Sequence, residues 1–171
     1  MPAEVRGALE LRKALRQFAP DLAKETRKEI AAILKPITKE AKGYVPSNEQ
    51  IISGWTVEKQ KGAWARVSYD AGVVKRGIGY KTSPSKPNKQ GFVALAQIRN
   101  RSAAGAIYET AGRKSSGGNF IPRFVPMTES SAGRGRLIFQ AWRKNNAKAI
   151  PAVLKAIESS ADKLNKTASV R

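Results

Sequence analysis

The chain has 171 residues, with 32 Lys and Arg against 13 Asp and Glu, a formal net charge of +19, and neither histidine nor cysteine. Its length and its 41% apolar content predict one globular domain with a core of its own. The missing residue types exclude disulfides, thiolate zinc sites, imidazole bases and cysteine nucleophiles. We therefore expect no catalytic activity and no metal or other cofactor.

The positive charge is concentrated after the first third of the sequence. Residues 1–70 hold 13 basic and 9 acidic residues, whereas residues 71–157 hold 16 basic residues and two acids, Glu109 and Glu129. Such a density of positive charge attracts the phosphates of a nucleic acid. It would attract an acidic protein surface equally well. No apolar run reaches the length of a membrane span, and the charged N-terminus lacks the apolar segment of a signal peptide. We therefore expect a cytosolic protein with no membrane contact.

Two helices are predicted at the N-terminus. Residues 4–18 allow a short amphipathic helix, which forms an N-terminal arm over residues 1–20. A long helix begins at Pro20, because proline suits the first helical turn. Its apolar stripe, at three- and four-residue spacing, continues past Pro36, which is expected to bend the helix without ending it. The predicted core positions of this stripe are Ile30, Ile33 and Ile37.

The middle of the chain changes to a period of two, which is typical of strands. Residues 54–60 and 63–70 predict a β-hairpin, with Trp55 in the sheet core. Residues 71–90 are punctuated by glycine and proline and contain no acid, so they predict an extended basic β-arm or loop. Residues 91–100 predict a buried strand. The basic positions of the predicted arm, which would face the DNA channel or a partner, are Lys75, Arg76, Lys81, Lys86 and Lys89.

The C-terminal part is predicted to be helical again, from about residue 135 to residue 165. Trp142 is assigned to the core, and Pro151 is expected to kink or divide the helix. Residues 113–120 are expected to form a mobile loop and residues 166–171 a frayed tail. The fold class is therefore α+β: long N-terminal and C-terminal helices packed on a small antiparallel sheet, in a single domain over residues 21–165.

The stretch "AIYETAGRKSSGG" at residues 106–118 combines an aromatic side chain, a carboxylate and a glycine-rich tail. This combination could suggest catalysis or phosphate binding. The "SSGG" segment, however, lacks the Lys-Ser/Thr of a phosphate loop and does not open a helix after a strand. The stretch is therefore interpreted as a structural element.

Four segments follow one another along the chain: "AKGYVPS" (41–47), "SGW" (53–55), "IYETAGR" (107–113) and "GRGRLIFQAW" (133–142). In these segments, and in their order, the chain resembles the head–tail connector or neck proteins of long-tailed bacteriophages. These are also described as tail-completion or minor tail proteins, and the actinobacteriophage-like branch is the most similar. The resemblance implies a structural ring subunit, expected as a hexamer, that joins the head to the tail tube around the DNA channel.

The resemblance also implies a location and a set of partners. The protein would belong to the neck or tail of the virion, and to the host cytoplasm during assembly. Its partners would be further copies of itself, together with head-closure, tail-terminator or tail-tube proteins. Contact with the genomic DNA would not depend on sequence.

The resemblance further implies that the Tyr–Glu–Gly element lies where subunits meet. Its interface residues would be Tyr108, Glu109, Gly112 and Arg113. Gly112 can supply a left-handed turn, and Glu109 can accept an ion pair from a neighbouring subunit. The alternative, of equal weight, is that Glu109 neutralises Arg101 or Arg113 within one chain.

Two other functions remain open from the sequence. One is a tail-terminator protein of similar fold. The other is a free-standing basic nucleic-acid-binding protein that uses residues 71–101. Aromatic residues among basic ones can stack on bases, and Tyr80 is the aromatic residue most expected to be exposed.

Overall fold

The computed structural model describes residues 7–51, 55, 67–89, 91–112, 124, 126–130 and 133–169. These residues form an α+β structure that is mostly helical. The elements are α1 (Ala8–Phe18), α2 (Pro20–Gly43), α3 (Ala71–Gly77), β1 (Ile78–Lys81), β2 (Gln97–Asn100), α4 (Ala103–Thr110), β3 (Thr128–Ser130), β4 (Gly133–Gly135) and α5 (Ile138–Ser169).

Helices α1 and α2 confirm the predicted pair, and α2 begins at Pro20 as expected. Helix α2 continues through Pro36 to Gly43. Its core stripe differs from the prediction at one position, because Ile33 is only half-buried while Leu34 is 5% exposed. The buried positions that define the stripe are Ala23, Ile30, Leu34, Ile37 and Ala41.

The strands form two separate two-stranded sheets, β1 with β2 and β3 with β4. Strands β3 and β4 are antiparallel, with Thr128 opposite Gly135 and Ser130 opposite Gly133. Of the strand predicted over residues 91–100, only Gln97–Asn100 is a strand. Most of the hairpin predicted over residues 54–70 lies outside the described residues. Trp55 is described and is buried, which confirms its assignment to the core.

The predicted basic arm is wrong at its start, where residues 71–77 form helix α3. The Asp70 side chain caps this helix by accepting a 2.8 Å hydrogen bond from the Val73 backbone N–H. Val74 is fully buried, so this helix packs one side chain into the protein. Lys75 and Arg76 therefore lie on the last turn of α3.

The rest of the predicted arm is strand β1 followed by a loop that we call the basic loop (residues 82–89 and 91–96). The loop closes on itself, since the Ser85 N–H donates to the Ala94 carbonyl at 2.9 Å. The Asn88 N–H donates to the Phe92 carbonyl at 2.9 Å, and the Asn88 carbonyl accepts from the Gly91 N–H at 3.0 Å. The Asn88 side chain also accepts from the Phe92 N–H. Gly91 has a φ of +81°, which favours glycine at this turn.

Helix α5 begins and ends later in the chain than predicted, and it passes through Pro151 without ending. The tail expected to fray from residue 166 is helical as far as Ser169. The hydroxyls of Thr167 and Ser169 each donate to the carbonyl four residues earlier, at 2.9 Å, which adds hydrogen bonds to the last turn. Trp142 is half-buried, whereas the neighbouring Ala141 is fully buried. The core position of this turn is therefore Ala141.

The chain divides into two compact units. The sequence predicted a single domain over residues 21–165. Unit 1 comprises Met1–Pro36, Tyr80–Gln97 and Asn145–Arg171, and unit 2 comprises Ile37–Gly79 and Ile98–Lys144. No helix within the described ranges combines the length and the apolar character needed to cross a membrane.

Each unit has its own core. In unit 1, α2 contacts α5 through a 2.7 Å hydrogen bond between the Thr26 and Ser160 hydroxyls. A 2.7 Å ion pair between Lys163 and Glu25 lies beside it. The core of unit 2 is a cluster of aromatic rings whose neighbouring centroids are 5.1–6.3 Å apart. The members of this aromatic cluster are Trp55, Tyr69, Tyr108 and Phe124.

Candidate functional site

The predicted interface element begins on α4, a helix of eight residues. The Ser102 side chain caps its start by accepting a hydrogen bond from the Gly105 N–H at 3.2 Å. Tyr108 and Glu109 follow in the last turn, and both are buried, with 3% and 4% of their surface exposed. A carboxylate buried to this extent requires hydrogen-bond partners inside the protein.

Those partners are backbone amides at the beginning of α5. One oxygen of Glu109 accepts from the Leu137 N–H at 2.5 Å, and the other accepts from the Phe139 N–H at 2.9 Å. The first amides of a helix have no partner within the helix, and the positive end of the helix dipole favours a negative charge there. Glu109 therefore caps α5.

Gly135 allows the carboxylate to reach this position. A Cβ atom at Gly135 would lie 2.4 Å from Oε1 of Glu109 and 2.6 Å from the Phe139 ring. Both distances are shorter than any contact that a real Cβ atom makes. The absence of a side chain at the end of β4 is therefore a condition for the cap.

Arg136 is buried next to Glu109, with 4% of its surface exposed, and it caps α4 in return. Its Nη1 donates to the carbonyls of Tyr108, at 2.9 Å, and Ala111, at 2.8 Å, at the C-terminal end of α4. The guanidinium lies 5.7 Å from the ring centre of Tyr108 and 5.0 Å from that of Phe124, within the range of cation–π attraction. Burial lowers the pKa of Arg136, while Tyr108 and Glu109 act in the opposite direction.

The two buried tyrosines of the aromatic cluster remain protonated at neutral pH. The Tyr69 hydroxyl donates to the Pro46 carbonyl at 2.7 Å. Burial raises the pKa of Tyr69 first, and the neighbouring Tyr108 and Asp70 raise it further. Burial is also the main cause that raises the pKa of Tyr108. These hydroxyls therefore act as hydrogen-bonding and packing groups.

The structure places the four predicted interface residues as follows. Gly112 has a φ of +85°, which confirms the left-handed turn, and Arg113 lies outside the described residues. Tyr108 and Glu109 are turned into the protein, so the carboxylate is not presented as an outward ion-pair acceptor. The alternative prediction paired Glu109 with Arg101 or Arg113, and its Arg113 part lies outside the described residues. Among the described residues, Arg136 is buried beside Glu109. The assignment of this element to a subunit boundary stays a prediction.

Sequence reasoning did not single out Arg136. The available signal was an arginine two residues before the start of an apolar helix, in a region with only two carboxylates. That pattern is compatible with a solvated residue, because the approach of Arg136 to α4 depends on tertiary packing. The pairing is therefore recognisable only in the structure.

The predicted basic positions are distributed over both units. Lys75 and Arg76 are exposed on α3 in unit 2. Unit 1 contains Lys81, which is half-buried in β1, and Lys86 and Lys89, which are exposed in the basic loop.

Two aromatic side chains accompany the basic residues of unit 1. Tyr80 is 39% exposed, as predicted, and Phe92 is 55% exposed, although its segment was predicted to be a buried strand. The basic loop therefore presents an aromatic ring together with lysines.

Among the residues that the structure describes, no group of three or more acidic, histidine or cysteine side chains could hold a metal ion. Comparisons with protein-family models, with curated proteins and with solved structures give no match for this chain. Its function is therefore argued from its own residues and from the motifs described above.

Proposed function

We propose that the protein is a non-enzymatic structural subunit of the neck or tail of a long-tailed bacteriophage. It would form a ring of six copies that joins the head to the tail tube around the DNA channel. The observation that best supports this proposal is that the four sequence segments that carry the resemblance all fall in unit 2.

The third and fourth segments each supply a side chain that caps the helix of the other. Segment 107–113 supplies Glu109, which caps the helix of segment 133–142. Segment 133–142 supplies Arg136, which caps the helix of segment 107–113. Two motifs that are about 25 residues apart in sequence thus form one interlocked element, which gives a physical reason for their occurrence together.

The earlier two segments meet the same aromatic cluster. Trp55, from segment 53–55, packs on Tyr69 with ring centres 5.2 Å apart. Pro46, from segment 41–47, accepts the hydrogen bond of the Tyr69 hydroxyl. Tyr69 in turn lies 6.3 Å from Tyr108 of segment 107–113. Each of the segments that define the resemblance therefore contributes to the packing of unit 2 around this aromatic cluster.

Native mass spectrometry of the purified chain tests the proposal. We would measure the chain alone and after mixing it with the neck and tail-tube proteins encoded by the same genome. A ring subunit gives a closed oligomer of one stoichiometry in at least one of the two conditions. Monomers in both conditions, or an open ladder of sizes, would contradict the proposal.

The exposed Phe92 beside lysines favours a second candidate function, nucleic-acid binding by the basic loop. Exposed aromatic rings stack on bases, and lysines neutralise phosphates. Fluorescence anisotropy with duplex and single-stranded DNA over a range of salt concentrations separates the two functions. A dedicated binder holds DNA tightly at physiological salt, whereas a ring subunit binds weakly and without sequence preference.

A matched pair of double variants assigns any DNA binding to the loop. Each neutralised phosphate contributes about 0.9 to the slope of log affinity against log salt, so Lys86→Ala with Lys89→Ala should lower that slope by about 2 if both lysines contact phosphates. The control is Lys28→Ala with Lys35→Ala, two exposed lysines of α2. Equal slopes in the two double variants would show that the loop does not contact DNA.

A further inference from the structure

Unit 1 contains a small apolar pocket between α1, α2, α5 and the basic loop, with a cavity volume of about 40 Å³. Since a cavity of about 10–15 Å³ holds one water molecule, this volume holds only a few non-hydrogen atoms, comparable to the end of one branched aliphatic side chain. The aliphatic residues that line the pocket are Ala8, Leu11, Leu15, Ile30, Leu95 and Ile157.

Two arginines, Arg12 and Arg27, also line this pocket, and none of the described residues that line it is acidic. The Nη1 atom of Arg12 donates to the Leu95 carbonyl at 3.2 Å, and Nη2 donates to the Thr82 carbonyl. The Nε atom of Arg12 is buried and has no hydrogen-bond partner among the described residues. A buried donor without a partner costs free energy, so the site lacks an acceptor.

The charged groups that act on Arg12 within the described part of the chain are cations. Burial is the first cause that lowers the pKa of Arg12, and the positive charges of Arg16 and Arg27 lower it further. The guanidinium thus has neutral carbonyls as its hydrogen-bond partners and cations as its charged neighbours. An incoming carboxylate at the accessible part of the two guanidinium groups would supply a negative charge beside these cations.

We propose that this pocket binds an acidic segment of a partner protein, with one aliphatic side chain inside the pocket and a neighbouring carboxylate on Arg12 and Arg27. Charge complementarity selects an anion, and the apolar lining selects an aliphatic group next to it. The small volume fits one aliphatic side chain better than a whole lipid acyl chain. The proposal does not depend on the ring function, because any acidic partner of this chemistry would fit.

The probes for the test are N-acetyl-L-leucine and N-acetyl-L-leucinamide, which share a shape and differ in the carboxylate charge. Binding is followed by NMR through the methyl signals of Leu11, Leu15 and Ile30. We expect salt-dependent shifts of these signals with N-acetyl-L-leucine. A hydrogen bond to a charged group contributes about 1.5–3 kcal/mol, so the amide should bind about tenfold or more weakly.

Variants of the two arginines show where the carboxylate of N-acetyl-L-leucine binds. Arg12→Gln and Arg27→Gln should each remove the preference for N-acetyl-L-leucine over the amide. Lys13→Gln, at an exposed position of α1 that does not line the pocket, should retain it. If Arg12→Gln fails to fold, Arg27→Gln decides the question alone.

Three results would overturn the proposal. The first is an absence of methyl shifts with N-acetyl-L-leucine. The second is equal affinity for the acid and the amide. The third is tighter binding of octanoate that persists in both arginine variants, because this result would indicate a site for acyl chains.

Discussion

The Glu109 carboxylate accepts a 2.5 Å hydrogen bond from the backbone N–H of Leu137, a residue 28 positions further along the chain. This bond fixes the end of α4 to the beginning of α5. It also turns the charge of Glu109 inward, towards the buried Arg136. The carboxylate therefore stabilises the fold of unit 2 before any question of assembly arises.

Replacement of Glu109 should destabilise the isolated monomer. Glu109→Ala leaves Arg136 buried without its counter-charge and leaves two helix amides unpaired, which should cost about 3–5 kcal/mol. Glu109→Gln keeps one acceptor oxygen and the shape, so its cost should be smaller. Urea unfolding of the monomeric protein gives both values.

Glu129 provides the control for this experiment. It forms a 3.1 Å ion pair with Arg134, and both side chains are more than half exposed. Glu129→Ala should therefore change the free energy of unfolding by less than about 1 kcal/mol. A Glu109→Ala monomer that unfolds like wild type would contradict the capping role.

Gly135→Ala should also destabilise the protein, by less than Glu109→Ala, because the new methyl group would collide with the Glu109 carboxylate and the Phe139 ring. Overpacking of this kind costs about 1–3 kcal/mol. Gly43→Ala is the matched control, since a Cβ atom there would meet nothing within 4 Å. Thermal melts of the two variants give the comparison. Equal melting temperatures would show that the backbone can move away from Glu109 at no cost.

The α2 stripe is tested by two neighbouring positions. Leu34 is buried, so Leu34→Ala should cost about 2–5 kcal/mol. Ile33 is half-buried, so Ile33→Ala should cost distinctly less. The denaturant midpoints of the two variants measure the difference. A larger loss of stability in Ile33→Ala than in Leu34→Ala would support the core position that the sequence predicted.

The sequence predicted the helices of this protein better than its strands. Pro20 marked the start of α2, and apolar spacing carried the helix through Pro36. Ile33 and Leu34 are both apolar and adjacent, so periodicity could not decide which of them faces the core. That choice depends on the exact position of the neighbouring elements.

Short elements and the candidate site were harder to predict, for a related reason. Helix α3 depends on the Asp70 cap, whereas the two valines after it favour a strand. Glu109 was recognised as unusual from the basic composition around it. Its role depends on Arg136 and Leu137, which tertiary packing brings to it.

Alkaline pH should destabilise the protein through its buried tyrosines. Burial raises the pKa of Tyr69 and Tyr108 in the folded protein above the ordinary value of about 10. Above that pH, the unfolded chain releases these protons while the folded protein retains them. The unfolded chain then binds fewer protons, so the free energy of unfolding falls as the pH rises.

Tyr69→Phe removes one of these two protons. At neutral pH the variant should lose about 1 kcal/mol with its hydrogen bond to Pro46. Above about pH 10 its stability should fall less steeply than that of the wild type, so the difference between the two should shrink. Tyr80→Phe, at a 39% exposed position, serves as the control. Urea unfolding at a series of pH values measures the slopes. Identical slopes in wild type and Tyr69→Phe would show that Tyr69 does not contribute.

The location of the protein in phage particles tests the central proposal most directly. Immunogold electron microscopy would use purified particles of a phage that encodes this chain, labelled with an antibody against it. The account predicts gold at the junction of head and tail or along the tail. Particles that contain none of the protein, in an infected cell that does contain it, would contradict a structural role and favour the free-standing nucleic-acid-binding protein.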